Sequence, residues 1–394
     1  MLLNLLFRFV KRGPARGPGL GRRRWRPRLE ILEDRVLPST LTVSNNLDSG
    51  PGSLRAAITD ASSGDTIRFA ANLNGQTITL TSGELAISKN LDIEGPGASL
   101  LAVSGNDASR VFEISKKLTV SLAGLTITHG SADHGGGILN GAGASLTVRA
   151  VALSDNQATG GLGGGAIFND VRASLSIGDS SLTNNQVNTT VAFTKSKGGG
   201  GGGAIFNASN ATLSVTDSDL SGNQAITTVG FDNFGGALYN NGGTATITGS
   251  TLANNQALGG GSFSPFGGSG GGAVENSGGA ALMVTGCRFT GNLAMGADGQ
   301  GYGSAGGALD NEFGSVANIS STELIGNRAQ PGPGDGGAEG GGGPLKTNLR
   351  GLPASFASPT ARFLTTRRLP APAAASGGSG RLPHRLTNTP CSAV

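Results

Sequence analysis

Six copies of a short glycine-led box recur between residues 135 and 330, and each box ends in an asparagine. A second asparagine follows 16 residues later in five copies and 15 residues later in the other, whereas the step from there to the next box asparagine varies from 13 to 22 residues. The box asparagines are Asn140, Asn169, Asn207, Asn240, Asn276 and Asn311, and the second asparagines are Asn156, Asn185, Asn223, Asn255, Asn292 and Asn327. A repeat with one constant and one variable part predicts stacked supersecondary units, none of which buries its apolar face alone.

Apolar residues alternate with polar ones inside the constant part. Eight residues before each second asparagine stand Val148, Ile177, Val215, Ile247, Val284 and Ile319, and ten residues before it stands another apolar residue. A spacing of two is the period of a β-strand. We therefore predict three short strands per unit, around GGAIFN, LSVTD and LSGNQA, in one coil of about 35 residues of a parallel β-helix.

The asparagine and glycine columns have a structural interpretation in such a stack. An asparagine at a bend accepts the left-handed conformation, and its amide can bond to the coils above and below. The alternative is a row of metal or ligand contacts. The glycines permit tight corners, and the boxes match neither a phosphate loop nor a dinucleotide fingerprint.

Charge divides the chain into three parts. Residues 1–40 contain ten Lys/Arg and three acids, and residues 344–394 contain seven Lys/Arg and no acid. Residues 41–343 therefore hold 12 basic and 22 acidic residues, a net charge of −10. We predict a disordered, export-related leader over 1–40 and a β-helix domain over 41–343. Residues 344–394 are predicted to be a Pro/Arg-rich tail that results from a truncation or a shifted reading frame near 335–345; the alternative is a disordered tail. An acidic domain without a basic face argues against nucleic-acid binding.

A short helix is predicted before the first coil. Leu54, Ala57 and Ile58 follow helical spacing, Ser53 can cap the amino terminus, and Gly64 can end the helix. It would cover an open end that otherwise exposes strand edges, and an uncapped carboxyl-terminal end invites self-association. The sequence contains no run of 18 or more apolar residues, so it predicts no membrane-spanning helix.

Three segments resemble known families. Leu29 to Ser39 resembles the LEDR-type box of large bacterial surface proteins, and Ser53 to Ile58 resembles the SLRxAI segment before right-handed parallel β-helix domains. The GGAI boxes, with Phe289 to Asn292 as one full FxxN, resemble the repeats of polymorphic outer-membrane proteins; the other five units have Leu for Phe. The resemblance covers roughly residues 41–330. It implies an all-β, pectin lyase-like right-handed parallel β-helix with six regular coils, two or three irregular initial coils and a capping helix, at the cell surface or outer membrane or secreted.

Candidate chemistry is sparse in the sequence. Asp133 with His134, and Asp310 with Glu312, form two local clusters, but we find no second acid at the matching position of an adjacent coil and interpret them as solvated turn residues. No catalytic, cofactor-binding or metal-binding residues are therefore assigned. Calcium binding by the loop from Asp298 to Gly301 is a weaker alternative, because the strict GGxGxDx repeat is missing.

Aromatic residues concentrate in the variable loops. Either they pin glycine-rich loops onto the coils, or they form a binding strip for sugar rings or a partner protein. These candidate ligand-binding residues are Phe193, Phe231, Phe234, Phe263, Phe266 and Tyr302. The predicted function is an exported, adhesin-like or structural β-helix module without catalytic activity that contacts polysaccharide or surface proteins. The alternative is a carbohydrate-active lyase or hydrolase.

Overall fold

The computed structural model describes residues 38–189, 200–227, 234–259, 270–296 and 306–330, together with the backbone of three short strands after residue 344. Within these residues the chain is a right-handed parallel β-helix, with six regular coils preceded by three irregular ones. This confirms the predicted fold class. The boundaries predicted at residues 40 and 343 stay predictions.

The strands, numbered in chain order, form four parallel sheets. Sheet A contains β1 Thr40–Val43, β2 Asp65–Phe69, β5 Leu91–Glu94, β8 Thr119–Ala123, β12 Ser145–Arg149, β16 Ser174–Gly178, β20 Thr212–Thr216, β24 Thr244–Thr248, β28 Ala281–Thr285, β32 Val316–Ser320 and β36 Phe356–Ala357. Sheet B contains β3 Gln76–Thr79, β6 Leu101–Ser104, β9 Thr126–Thr128, β13 Ala152–Ser154, β17 Ser181–Thr183, β21 Asp219–Ser221, β25 Thr251–Ala253, β29 Arg288–Thr290, β33 Glu323–Ile325 and β37 Arg362–Leu364. Sheet C contains β4 Leu85–Ile87, β7 Phe112–Ile114, β11 Ile138–Asn140, β15 Ile167–Asn169, β19 Ile205–Asn207, β23 Leu238–Asn241, β27 Val274–Ser277, β31 Leu309–Asn311 and β35 Leu345–Thr347. Sheet D contains β10 Ser131–His134, β14 Gln157–Gly163, β18 Gln186–Thr189, β22 Gln224–Thr227, β26 Gln256–Leu258, β30 Leu293–Met295 and β34 Arg328–Gln330.

Each regular coil has four strands, not the three predicted. The segment predicted as a single strand around LSGNQA breaks at the residue before the second asparagine, where φ lies between 55° and 67° in every regular coil. The residues at this corner are Asp155, Asn184, Gly222, Asn254, Gly291 and Gly326. The left-handed conformation turns the chain there, and Asn, Asp and Gly are the residues that adopt it most easily.

The two asparagine columns form buried hydrogen-bond ladders along the stack, as predicted. In the box column each amide donates to the Oδ1 of the next asparagine at 2.7 to 2.8 Å. In the second column the same bond measures 2.7 to 3.0 Å. Each such bond contributes about 1 kcal/mol net, and removal of one partner leaves a buried polar group unsatisfied. The ladders therefore fix the register of successive coils.

The predicted capping helix is present as α1, Leu54–Asp60. Ser53 Oγ accepts a hydrogen bond from the Ala56 amide at 3.1 Å, and Leu54, Ala57 and Ile58 are buried. The helix ends at Ala61, three residues before Gly64, because the Ala61 φ and ψ of −59° and 147° are already extended. In the described part of the chain, no helix has the length and apolar character needed to cross a membrane.

Candidate functional site

The second residue of each sheet C strand contributes to a column on the outer side of the coils, which we call the outer column. Its described members are Ala86, Glu113, Leu139, Phe168, Phe206, Tyr239, Glu275 and Asp310. Their strand neighbours, such as Ile167, face the interior, so the strand period directs this column outward. It is nevertheless buried from Phe168 to Asp310, with at most 8% exposure per residue.

Aromatic rings occupy the centre of the outer column. The Phe168 and Phe206 rings stack with centroids 4.9 Å apart, and Tyr239 meets Phe206 edge-on at 5.2 Å. Phe234 stacks on Tyr239 at 4.9 Å, and His134 contacts Phe168 at 4.8 Å. Phe168, Phe206 and Tyr239, with Phe234 packed against them, belong to a small apolar cluster outside the main core. We call these four residues, together with His134, the aromatic stack.

Glycines beside the boxes give the aromatic stack its space. Gly163 and Gly201 occupy the column between His134 and Phe234. A Cβ at Gly201 would lie nearest the Phe234 carbonyl oxygen and 2.6 Å from Cδ1 of Tyr239, so no larger residue fits there without a shift of both. Both the adjacent backbone and the neighbouring ring therefore require a glycine at this position.

Two carboxylates continue the outer column after Tyr239. Glu275 of β27 and Asp310 of β31 are in register, and Glu312 follows two residues later. One oxygen from each of these three carboxylates lies within 4.8 Å of the others. We call these residues the acidic cluster. Glu275 is 0% exposed, Asp310 is 1% exposed, and Glu312 is half-buried.

The Glu275 carboxylate is the most perturbed group of the acidic cluster. Its Oε2 accepts a hydrogen bond from the Gly271 amide at 3.0 Å, whereas Oε1 is buried with no hydrogen-bond partner among the described residues. Burial, followed by the charges of Asp310 and Glu312, raises the pKa of Glu275 well above its usual range. Two like charges in one desolvated space favour the neutral form of a carboxyl group.

A second polar group lies at the opposite end of the outer column, and we call it the amino-terminal cluster. Arg110 Nη1 bonds to Glu84 Oε2 at 2.5 Å. Its Nη2 donates to the His134 carbonyl and its Nε to the Gly135 carbonyl, both at 3.1 Å. Burial, together with Glu113, raises the pKa of Glu84 although Arg110 opposes this shift. Burial, followed by the Arg110 charge, lowers the pKa of His134.

The outward side of sheet A is chemically different. Over β12, β16, β20 and β24, two of the three outward columns contain only serine and threonine, and we call these two columns the hydroxyl face. It consists of Ser145, Thr147, Ser174, Ser176, Thr212, Ser214, Thr244 and Thr246, all exposed or half-buried. Neighbouring hydroxyl positions lie about 4.8 Å apart between coils and about 7 Å apart along a strand.

A shallow groove of about 760 Å³ runs along the corner between sheets A and B. Asp179 and Asp217 line it from adjacent coils, and Asp219 lies two residues after Asp217. Arg149 Nε is 3.2 Å from Asp179 Oδ2. Three exposed carboxylates therefore line the groove, and one of them is paired with a guanidinium.

The sequence-based site predictions meet the structure unevenly. Of the six candidate ligand-binding aromatics only Phe234 lies in the described residues, where it packs on Tyr239; Phe193, Phe231, Phe263, Phe266 and Tyr302 lie outside them. The loop from Asp298 to Gly301 also lies outside the described residues.

The interpretation of Asp310 as a solvated turn residue is wrong, because the outer column is covered. The statement that no acid stands at the matching position of the adjacent coil is also wrong, because Glu275 pairs in register with Asp310. Alignment of GGGAVEN with GGALDN would have shown an acid before the asparagine in both boxes. Asp133 is exposed, and His134 is half-buried.

No protein-family model matches this chain, and no curated protein matches its sequence. Among solved structures it is similar to the pectate lyase Pel9A, with a TM-score of 0.42 and 16% identity over 83% of this chain and 78% of that chain. It is similar to an alginate lyase from Paenibacillus sp. str. FPU-7, with a TM-score of 0.37 and 13% identity over 78% of this chain and 99% of that chain. It is also similar to ORF18 of Geobacillus virus E2, with a TM-score of 0.34 and 13% identity over 80% of this chain and 61% of that chain. Nothing about activity is transferred from similarities this weak.

Proposed function

We propose that this chain is an exported, adhesin-like or structural β-helix module without catalytic activity, at the bacterial cell surface or outside the cell. The observation that supports this proposal is the hydroxyl face of sheet A. It is a regular lateral surface that repeats the same chemistry from coil to coil, and it is part of the rigid, fully paired sheet.

Hydroxyl groups on a fixed grid suit a partner that is itself rich in hydroxyls or amides. Each Ser or Thr hydroxyl can donate one hydrogen bond and accept two. None of the eight positions is charged, so contact requires no desolvation of an ionised group. Polysaccharide chains and the exposed surfaces of other proteins fit this description. The candidate aromatics in the loops, Phe234 among them, remain a predicted second contact.

Retention on immobilised polysaccharides tests the proposal directly. The full chain is passed over a panel of neutral and acidic polysaccharides, and we expect at least one to retain it. A Ser176→Lys, Ser214→Lys double variant should lower retention at least about tenfold, because two long cations disrupt the centre of the face. Thr183→Lys, on the outward side of sheet B, is the matched control. Equal retention of the double variant and the control would contradict a role for the hydroxyl face.

A carbohydrate-active enzyme is the second candidate, and the groove between sheets A and B favours it. Asp179 and Asp217 come from adjacent coils and are open to solvent, as paired acid and base groups must be. Release of reducing or unsaturated ends above a heat-treated control would establish this activity. Loss of that release in Asp179→Asn, Asp217→Asn, with Glu323→Gln unaffected, would assign it to the groove. Retention without release supports the module without catalytic activity.

A further inference from the structure

The acidic cluster combines two features that an ordinary surface group of acids does not have. Its three carboxylates come from two successive coils, and backbone pairing of β27 with β31 holds Glu275 and Asp310 in register. Glu275 is also fully buried, and no donor among the described residues reaches its Oε1. A buried carboxylate oxygen without a donor is costly to the folded state unless something compensates it.

The spacing of the oxygens indicates which compensating group fits. Calcium binds oxygen ligands at about 2.3 to 2.6 Å, so two oxygens on opposite sides of one ion lie at most about 5 Å apart. The three carboxylate oxygens lie within 4.8 Å of one another, inside that limit. Magnesium requires shorter bonds in near-ideal octahedral geometry, and zinc prefers nitrogen and sulfur ligands.

We propose that Glu275, Asp310 and Glu312 bind one calcium ion on the outer side of sheet C. Glu275 and Asp310 supply oxygens from successive coils, and half-buried Glu312 gives the ion access to solvent. The ion joins β27 to β31 at the point where the outer column changes from aromatic rings to carboxylates. This goes beyond the proposed binding function, because the site is on a different sheet from the hydroxyl face.

Terbium luminescence can locate the ion. Tb³⁺ is a hard cation with the same preference for oxygen ligands, and a nearby tyrosine sensitises its emission. Tyr239 is in register with Glu275 on the adjacent strand, about 4.8 Å away between backbones. The full chain, freed of metal by chelator, should therefore give saturable Tb³⁺ emission on tyrosine excitation, and Ca²⁺ should displace it far better than Mg²⁺.

Variants of the acidic cluster decide the assignment. Glu275→Gln and Glu312→Gln should each weaken Tb³⁺ and Ca²⁺ binding at least about tenfold and abolish the Ca²⁺-dependent rise in Tm. Glu312 is half-buried, so its variant tests the site even if the change at buried Glu275 impairs folding. Glu113→Gln, in the same outer column at the opposite end, is the matched control and should bind as the unchanged protein does. Tyr239→Phe should lose the emission but keep the Ca²⁺-dependent Tm.

Two results would overturn the proposal. One is a metal-free protein whose Tm and calorimetric titration show no response to Ca²⁺. The other is Ca²⁺ binding that survives unchanged in both Glu275→Gln and Glu312→Gln, since the ion would then lie elsewhere. Polysaccharide retention is a separate measurement, so failure here and failure of the proposed function can be distinguished.

Discussion

Carboxylates stand at both ends of the outer column, and their surroundings differ. At the amino-terminal end, Glu84 is paired with Arg110 at 2.5 Å, so a fixed guanidinium lies beside the acid. At the other end, Glu275 lies beside Asp310 and Glu312, and its pKa is raised by burial and by these two acids. The two ends therefore accommodate an acid differently: Glu84, just before β4, has a guanidinium beside it, whereas Glu275, within the outer column, lies beside two further acids.

The residues between the two ends show what the column requires when no charge is present. Phe168, Phe206 and Tyr239 bury their rings against one another, and Gly201 leaves room for them. Ring stacking and area burial stabilise this stretch. The comparison therefore contrasts an acid that is held by an ion pair with an acid that is buried beside two others, and the following predictions test that difference.

The largest effect is expected from truncation of the aromatic stack that separates the two clusters. Phe206→Ala removes a ring that is 6% exposed and contacts rings on both sides, so it should lower the free energy of unfolding by about 3 to 4 kcal/mol. Urea denaturation measures the loss. Phe206→Leu, which keeps most of the buried volume, should cost less than about 2 kcal/mol. Equal losses in both variants would contradict this expectation, because the volume that leucine retains would then contribute nothing.

The next effect is expected at the amino-terminal cluster. Arg110→Ala leaves the Glu84 carboxylate without its ion pair and removes donors to the His134 and Gly135 carbonyls, so we expect a loss of about 2 to 3 kcal/mol. The control is Arg149→Ala, because Arg149 pairs with Asp179 on the surface at 73% exposure. That change should cost no more than about 0.5 kcal/mol. If both variants lower the free energy of unfolding by the same amount, Arg110 does not stabilise Glu84 more than a surface ion pair would.

Most of the fold could be predicted from residues that recur at fixed intervals. The two asparagine columns and the inward valine, leucine and isoleucine columns depend only on backbone period and stacking, so one sequence is enough to place them. The number of strands was wrong by one, because a corner at a residue such as Asp155 requires a left-handed φ that alternation does not reveal. Asp, Asn or Gly at every such position was the available signal.

The outer column could not be predicted in the same way. Strand alternation assigns Phe168 and Glu275 to the outside, where a single sheet would expose them. Their burial depends on how the chain packs beside the boxes, and the length of this part varies from coil to coil. A search for acids that are neighbours in sequence groups Asp310 with Glu312. It misses Glu275, which lies one coil away and in register with Asp310. Comparison by column would have found it.

In metal-free protein, removal of one carboxylate from the acidic cluster is expected to stabilise the fold. In chelator, Glu275→Gln should raise the free energy of unfolding by about 1 kcal/mol near neutral pH, because a buried repelling acid becomes a neutral amide. The pKa of Glu275 is raised above its ordinary 4.5, so the folded protein binds more protons than the unfolded chain above that pH. Stability is therefore lost as pH rises from about 4.5, and the variant should flatten this slope. Destabilisation in chelator would contradict the description of this end.

The smallest effect is expected at His134, and its sign is opposite to that at Glu275. Burial and the Arg110 charge lower the pKa of His134 below its ordinary 6.5, although Asp133, Asp170 and Glu84 oppose this. The unfolded chain then binds more protons than the folded protein below pH 6.5, so this contribution to stability is present above 6.5 and lost as pH falls through the folded pKa.

His134→Gln should therefore reduce the loss of stability as pH falls below 6.5 and leave the slope at higher pH unchanged. The effect is small because the imidazole is only half-buried, and solvent screens its interaction with Arg110. Urea midpoints measured across this range check the slope, and an NMR titration of the His134 ring checks the cause. A titration midpoint of His134 at or above 6.5 would show that Arg110 pairs with Glu84 without lowering the pKa of the imidazole. The amino-terminal cluster and the acidic cluster would then not differ in the sign of their pH dependence.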